Sequence, residues 1–227
     1  PLATGLLPLC FGEATKFAGE LLDADKAYRA TLKLGITTDT ADAEGQVLLT
    51  RPVSVTADAF DAVLRQFRGE IDQVPPMYSA LKRDGKPLYE YARQGIELER
   101  APRRVTLHEL RCLSFAGDTA EIEVACSKGT YVRTLAADIG EVLGCGAHLT
   151  ALRRTRIGEL GLAGAVTLEQ LEGLELAARD AFLAPADALV AKLPCAELSG
   201  EEVTRVLHGQ AVRWNGVPGQ RWRLYGE

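Results

Sequence analysis

Along Lys26–Leu34 apolar and polar residues alternate with a period of two: Tyr28, Ala30, Leu32 and Leu34 fall on one side, Arg29, Thr31 and Lys33 on the other. That pattern predicts a half-buried strand. Val105–Phe115 and Ala120–Cys126 are two more such runs. In the second, Ala120, Ile122, Val124 and Cys126 alternate with Glu121 and Glu123, and Gly117-Asp118 between the runs predicts a hairpin. Leu149–Ile157 reads as another strand. Helical spacing replaces alternation at Phe60, Val63, Leu64 and Phe67, behind Thr56 as N-cap. Thr130–Leu143 also reads as a helix, burying Val132, Leu135, Ile139, Val142 and Leu143 and ended by Gly144. Thr167 with Gln170 and Ser199 with Glu202 have capping-box spacing. Gly35–Gly45 reads as a polar loop. Val74–Arg104, broken by Pro75, Pro76, Gly85, Pro87, Gly95 and Pro102, is an excursion from the main fold with at most a short helix at Tyr89–Gln94. Arg223–Glu227 is strand-like, with no partner following it. Strands that pair locally with helices interspersed predict an α+β fold with a mixed, largely antiparallel central sheet and flanking helices.

Composition narrows the class. The chain has 227 residues, 47% hydrophobic and 25% charged, enough to bury a core within one large domain or one and a half. No apolar run approaches the roughly 20 residues of a membrane helix, and no basic-then-apolar leader is visible at the amino end. Cys10, Cys112, Cys126, Cys145 and Cys195 are scattered and never spaced C-x-x-C. They read as reduced, mostly buried thiols of a cytosolic protein.

A net charge of −5 argues mildly against a polyanionic partner. Its distribution argues the other way. Basic residues outnumber acidic ones seven to four over Lys82–Arg104 and five to two over Cys126–Arg156, whereas Val166–Glu202 carries eight acids against Arg179 and Lys192. Such segregation suits a face that meets nucleic acid, and equally suits clustering on solvated faces.

Several chemistries are excluded. No H-E-x-x-H, P-loop or G-x-S-x-G occurs, and Pro194-Cys195 lacks the second cysteine of a zinc-deaminase pair. Asp39–Gly45 vaguely suggests a calcium loop, but Ala41 and Thr50 occupy ligand positions. The three histidines stand alone, and nothing implies a metal.

Four segments remain. The opening Pro1-Leu-Ala-Thr-Gly-Leu-Leu loop would hold a side chain preceding Pro1 outward, because proline biases its predecessor to an extended conformation and Gly5 permits a bend. Tyr28 is either a core aromatic or a platform on which a base stacks. In Cys126-Ser-Lys-Gly-Thr-Tyr131-Val-Arg133-Thr-Leu135 a strand ends, Gly129 turns and a helix begins carrying Tyr131 and Arg133. Arg133 pairs either with a surface glutamate or with a buried carboxylate. In Gly144–Arg156, Leu152 stands beside Arg153, Arg154 and Arg156 and could wall an apolar pocket.

In this order the segments resemble the successive motifs of the TruB-type tRNA pseudouridine synthases. The similarity is carried by P-L-A-T-G-L-L-P-L-C-F-G-E-A-T-K-F and C-S-K-G-T-Y-V-R-T-L and runs to about Ile157. The resemblance implies isomerisation of uridine 55 in the tRNA T-loop to pseudouridine by base flipping, with no metal or organic cofactor, no membrane and no required protein partner. Non-catalytic tRNA binding or remodelling is the alternative. It also implies roles. Tyr28 would stack on the base and Leu152 would pack against it. Tyr131 would act near the carbon that loses its proton. Arg133 would orient the nucleophile, and Lys16 and Asp42 would help hold the site. The family's nucleophile is an aspartate immediately before the position of Pro1, so the chain alone is expected to be inactive and Arg133 to lack its partner. The expected domains are a catalytic domain at 1–196, with an RNA-gripping insertion at about 74–104, and the beginning of a PUA-like RNA-binding domain at 197–227.

Overall fold

The structure is a computed structural model that describes residues 2–213 and 215–226. Pro1, at the head of the expected catalytic loop, and Glu227, at the end of the strand-like tail, lie outside the described residues. In chain order the elements begin with β1 (Ala3–Gly5), α1 (Ala18–Asp23), β2 (Lys26–Leu34), β3 (Ile36–Thr38), β4 (Val47–Thr50), α2 (Ala57–Gln66) and β5 (Gly69–Gln73). They continue with β6 (Lys82–Arg83), β7 (Lys86–Pro87), α3 (Leu88–Ala92), β8 (Arg103–Ala116), β9 (Thr119–Cys126), α4 (Val132–Val142), β10 (Ala147–Ile157) and β11 (Leu160–Gly161). The last are α5 (Leu168–Glu172), α6 (Leu176–Arg179), β12 (Cys195–Leu198), α7 (Gly200–Leu207) and β13 (Arg223–Gly226).

These elements form two units. The first comprises the residues up to Pro8 together with Asp23–Thr167, the second Leu9–Leu22 together with the residues from Leu168 onward.

The first unit is built on one sheet of order β1-β10-β2-β9-β8-β5, with β11 added to β10. Among the described residues only strands β1 and β10 pair in parallel in it; the other strand pairs are antiparallel, as the sequence pattern anticipates. On one face Leu32 lies opposite Ala120 and Ala30 opposite Ile122, all at most 1% exposed. Helix α2 covers β8 and α4 covers β10. They bring Phe60 and Leu64 from one side and Leu135, Ala136 and Ile139 from the other. Each of the larger of these buried side chains contributes roughly 1.5–3 kcal/mol of transfer free energy. Thr56 caps α2 as expected, accepting from the Ala59 N–H at 3.2 Å. At Gly140, α4 comes so close to the start of β10 that an added Cβ would overlap the Ala147 backbone nitrogen.

Several expectations need correction. The helix expected at Thr130–Leu143 is Val132–Val142; Tyr131 has an extended backbone and is its N-cap. Val142 is 53% exposed, because the face turned to β10 is already filled by Leu135 and Ile139. Of the cysteines only Cys126 and Cys145 are buried, and Cys195 is exposed. The Gly35–Gly45 loop contains β3, which pairs with β4. The tail strand does have a partner, but it precedes it: β13 pairs in parallel with β12 in the second unit. There Ser199 and Glu202 form the anticipated capping box of α7.

Candidate active site

Across three strands of the first unit the sequence motifs fall into rows. Because β1 is parallel to β10, Ala3 lies opposite Leu152 and Gly5 opposite Arg154. Leu152 in turn faces Ala30, and Arg154 faces Tyr28. The opening loop is locked to β10 at its far end, where the Leu6 N–H donates to the Arg154 carbonyl and Arg154 Nε donates to the Leu6 carbonyl, each at 2.8 Å. Gly5 has φ +93°, and a Cβ there would overlap the Arg154 carbonyl oxygen, so this close approach requires glycine.

Tyr28 and Leu152 occupy the end of the core face, where the face opens. Ala30 and Leu32 are buried, whereas Tyr28 and Leu152 are half-buried and pack against the same core. Burial raises the Tyr28 phenol above its ordinary value, an effect partly opposed by Arg154, so the hydroxyl stays protonated at neutral pH. The neighbouring Cys126 thiol is pushed up to about 11 by burial, which keeps it protonated and unreactive.

Where β1 points back along β10, the neighbour of β10 becomes Asp42, which bridges to Leu149. Two backbone hydrogen bonds fix it there, Leu149 N–H to Ala41 and Ala43 N–H to Leu149. The loop needs left-handed Ala41 at φ +60°, held by the Thr38 hydroxyl donating to the Asp42 carbonyl at 2.7 Å. Asp42 is 5% exposed. Its carboxylate accepts from the Thr40 hydroxyl at 2.6 Å, the Glu44 N–H at 3.1 Å and Arg133 Nη1 at 3.0 Å. Arg133 stands in the first turn of α4, where the helix dipole disfavours a cation. Asp42 offsets that cost. The other arm of the guanidinium donates to the Tyr78 carbonyl. The expectation of an uncompensated Arg133 is therefore corrected: its carboxylate partner is Asp42, brought in by an irregular loop whose reach the sequence pattern does not reveal.

Tyr131, one residue before α4, is gripped by a residue the sequence reading passed over. Gln73, 2% exposed at the end of β5, accepts from the Tyr131 N–H at 2.7 Å and donates to the Tyr131 carbonyl at 3.1 Å. A lone glutamine in Gly69–Gln73 carries no periodic signal, and only the sheet edge brings it to α4.

Between Tyr78 and β8 the insertion contains a small hairpin, β6–β7, turning at Asp84 and Gly85 with φ +52° and +80°. The Asp-Gly pair between Arg83 and Lys86 was the signal for it. Lys82, Arg83, Arg93 and Arg103 are exposed, while Arg104 is engaged by Asp72 and Glu70. Lys86 stands over the Tyr91 ring at 4.8 Å and Arg93 over the Tyr89 ring at 5.3 Å. Lys16 is not brought to these residues by any described contact; it belongs to the second unit and pairs with Glu13 at 2.5 Å. An open groove of about 850 Å³ lined by Leu34, Gly35, Arg51, Val53 and Asp118 lies toward the other end of β2 and contains none of the candidate residues.

The profile described as TruB family pseudouridylate synthase (N terminal domain) matches residues 1–132, and that of the tRNA pseudouridylate synthase B C-terminal domain matches 133–191. The chain belongs to the TruB family. It is 62% identical over 213 residues to tRNA pseudouridine synthase B of Azoarcus sp. (strain BH72), covering 94% of this chain and 71% of that protein. Against the protein of the same name from Ralstonia pickettii (strain 12J) it is 62% identical over 216 residues, covering 93% and 68%. Among solved structures, a Cbf5-Nop10-Gar1 complex is similar at 27% identity with a TM-score of 0.66, over 91% of this chain and 55% of that one. An H/ACA RNP bound to a substrate RNA containing 2'-deoxyuridine shares the fold at 24% identity and a TM-score of 0.67, over 99% and 62%. The chain thus spans less than two thirds of these solved chains. The mixed sheet with flanking helices is the TruB-family fold, and the Asp42–Arg133 pair stands within its N-terminal and C-terminal profile matches respectively.

Proposed function

We propose that this protein isomerises a uridine of tRNA, uridine 55 of the T-loop, to pseudouridine. The bond from C1' of the ribose to N1 of the base breaks, the base turns, C1' bonds to C5, the C5 proton leaves and N1 takes up a proton. Atoms balance without a metal, an organic cofactor or a second protein. The base has to leave its stack first, at a cost of a few kcal/mol. Tyr28 offers it a stacking face, and Leu152 an apolar wall. Tyr131 serves the departing C5 proton as base or relay.

The nucleophile in this reading is an aspartate immediately before Pro1. The observation that carries it is the parallel pairing of Ala3 with Leu152, which directs the amino end of β1 along β10 toward Leu149, beside which Asp42 and Arg133 are paired. Arg133 retains N–H donors for a second carboxylate beyond those given to Asp42 and Tyr78. The exposed cations of Lys82–Arg104 supply a phosphate-binding surface for the T-arm. Residues 197–227 belong to a PUA-like RNA-binding region.

The test is tritium release from tRNA labelled at uracil C5 by two polypeptides, one with aspartate and one with asparagine placed directly before Pro1. Release by the first and none by the second is expected. If neither releases tritium while both retain tRNA with steep salt dependence, the protein is instead a non-catalytic tRNA binder.

A further inference from the structure

We propose that Gln73 is the positioning residue for Tyr131. The inference rests on the reading of Tyr131 as the residue acting at the C5 proton, and adds the device that aims it.

Tyr131 is the residue whose backbone changes from loop to helix, at φ −103° and ψ 105°, and no side chain caps the helix there. Its carbonyl already accepts from the Leu135 N–H at 3.0 Å, as the first helical bond of α4. The Gln73 amide closes on both backbone groups of this residue, taking the N–H at 2.7 Å and donating to the same carbonyl at 3.1 Å. The chemistry of the partners fixes the orientation: Tyr131 N–H can only donate, so Oε1 faces it and Nε2 faces the carbonyl. Together the two bonds reproduce one step of a β-ladder across a side chain and fix the direction in which the Tyr131 Cα–Cβ bond leaves the backbone. At 2% exposure the amide has no water to turn to, so the clamp does not open cheaply.

The clamp also has a rigid base. Gln73 closes β5 and lies in register with Arg103 of β8. The chain after it passes through Pro75 and Pro76 to Tyr78, whose carbonyl takes Arg133. One segment of seven residues, 73–79, therefore holds the backbone of Tyr131 at one end and the guanidinium of Arg133 near the other.

The experiment measures single-turnover pseudouridine formation on saturating tRNA, with tRNA affinity measured separately, using the polypeptide that carries aspartate before Pro1. Gln73→Met keeps the volume and removes both hydrogen bonds. Gln73→Glu keeps the acceptor and sets a carboxylate against the Tyr131 carbonyl, so it serves should the methionine variant not fold. A misplacement of about 1 Å costs on the order of 100-fold in rate. A loss of that order is expected for both, with tRNA affinity within about twofold. In a Tyr131→Phe background the same Gln73 changes should cost less than about threefold, since the group being aimed is gone.

An equal loss in both backgrounds would make Gln73 a structural residue and overturn the proposal. A slow Tyr131→Phe beside a full-rate Gln73→Met would refute the clamp alone. A full-rate Tyr131→Phe would refute the role of Tyr131 and the clamp with it.

Discussion

In the first unit the sheet face and two helices bury an apolar core that runs from Ala30 and Leu32 through Ile122 and Val124 to Leu135 and Ile139. Among the described residues the second unit buries little beyond Val190, Ala196 and Leu198, and leaves Leu168, Leu176, Phe182, Leu183 and Leu207 exposed. Polar locks hold it instead. Arg223 reaches Asp187 at 3.0 Å and the carbonyls of Leu193 and Ala191 at 3.1 and 2.9 Å, Arg221 pairs with Glu20 at 2.5 Å, and Ser199 and Glu202 cap α7. A buried core resists change at many positions and holds a carboxylate–guanidinium pair to fixed geometry. A unit held by exposed polar contacts yields locally and gains little from each one. The candidate chemistry lies in the unit with the core.

That contrast can be broken at four places. The largest effect is expected from Gly140→Val, which would force α4 off β10; denaturant unfolding should show a loss of more than about 3 kcal/mol, and an unchanged midpoint would mean α4 is not seated there. Next is Asp42→Ala, which leaves the half-buried Arg133 without its carboxylate. A loss of about 3 kcal/mol is expected, and restoring most of it with Arg133→Met would identify the unpaired charge as the cause. Ser199→Ala in the second unit should cost only about 1 kcal/mol of local stability, seen as faster proteolysis near α7 with the unfolding of the first unit unmoved. If both units weaken together, the division between them fails.

The last effect is one of pH, and it vanishes below about pH 9. The Cys126 thiol lies at about 11 in the folded chain against an ordinary value near 9. Below about pH 9 both states keep the proton and stability is untouched. Between about 9 and 11 the unfolded chain releases it and the folded chain does not, so stability falls as pH rises. Alkylation at pH 8 should modify exposed Cys195 and spare Cys126 until the first unit unfolds. Rapid labelling of Cys126 in the native protein would show that its burial is overstated.

Legibility followed the range of the interactions. Strand β2 is Lys26–Leu34 in both readings, because alternation is written in neighbouring residues and a half-buried sheet enforces it. The caps at Thr56 and Ser199 were equally local. The end of α4 was misjudged at Tyr131 because the glutamine that holds that residue extended is 58 positions away. The partner of tail strand β13 was missed because nothing local announces a parallel pairing with β12.

The sequence alone determined strands β2, β8, β9 and β10 and the two capped helices, since residue spacing and type suffice for these, and its resemblance to a family named Tyr28, Tyr131, Arg133, Leu152, Lys16 and Asp42 as candidates. Only the tertiary structure decided that β1 lies parallel beside β10, that Asp42 is the carboxylate partner of Arg133 across 91 residues, and that Gln73 grips Tyr131. Those are contacts between distant segments, fixed by sheet order and by the need to satisfy buried polar groups, and no local pattern in the chain records them.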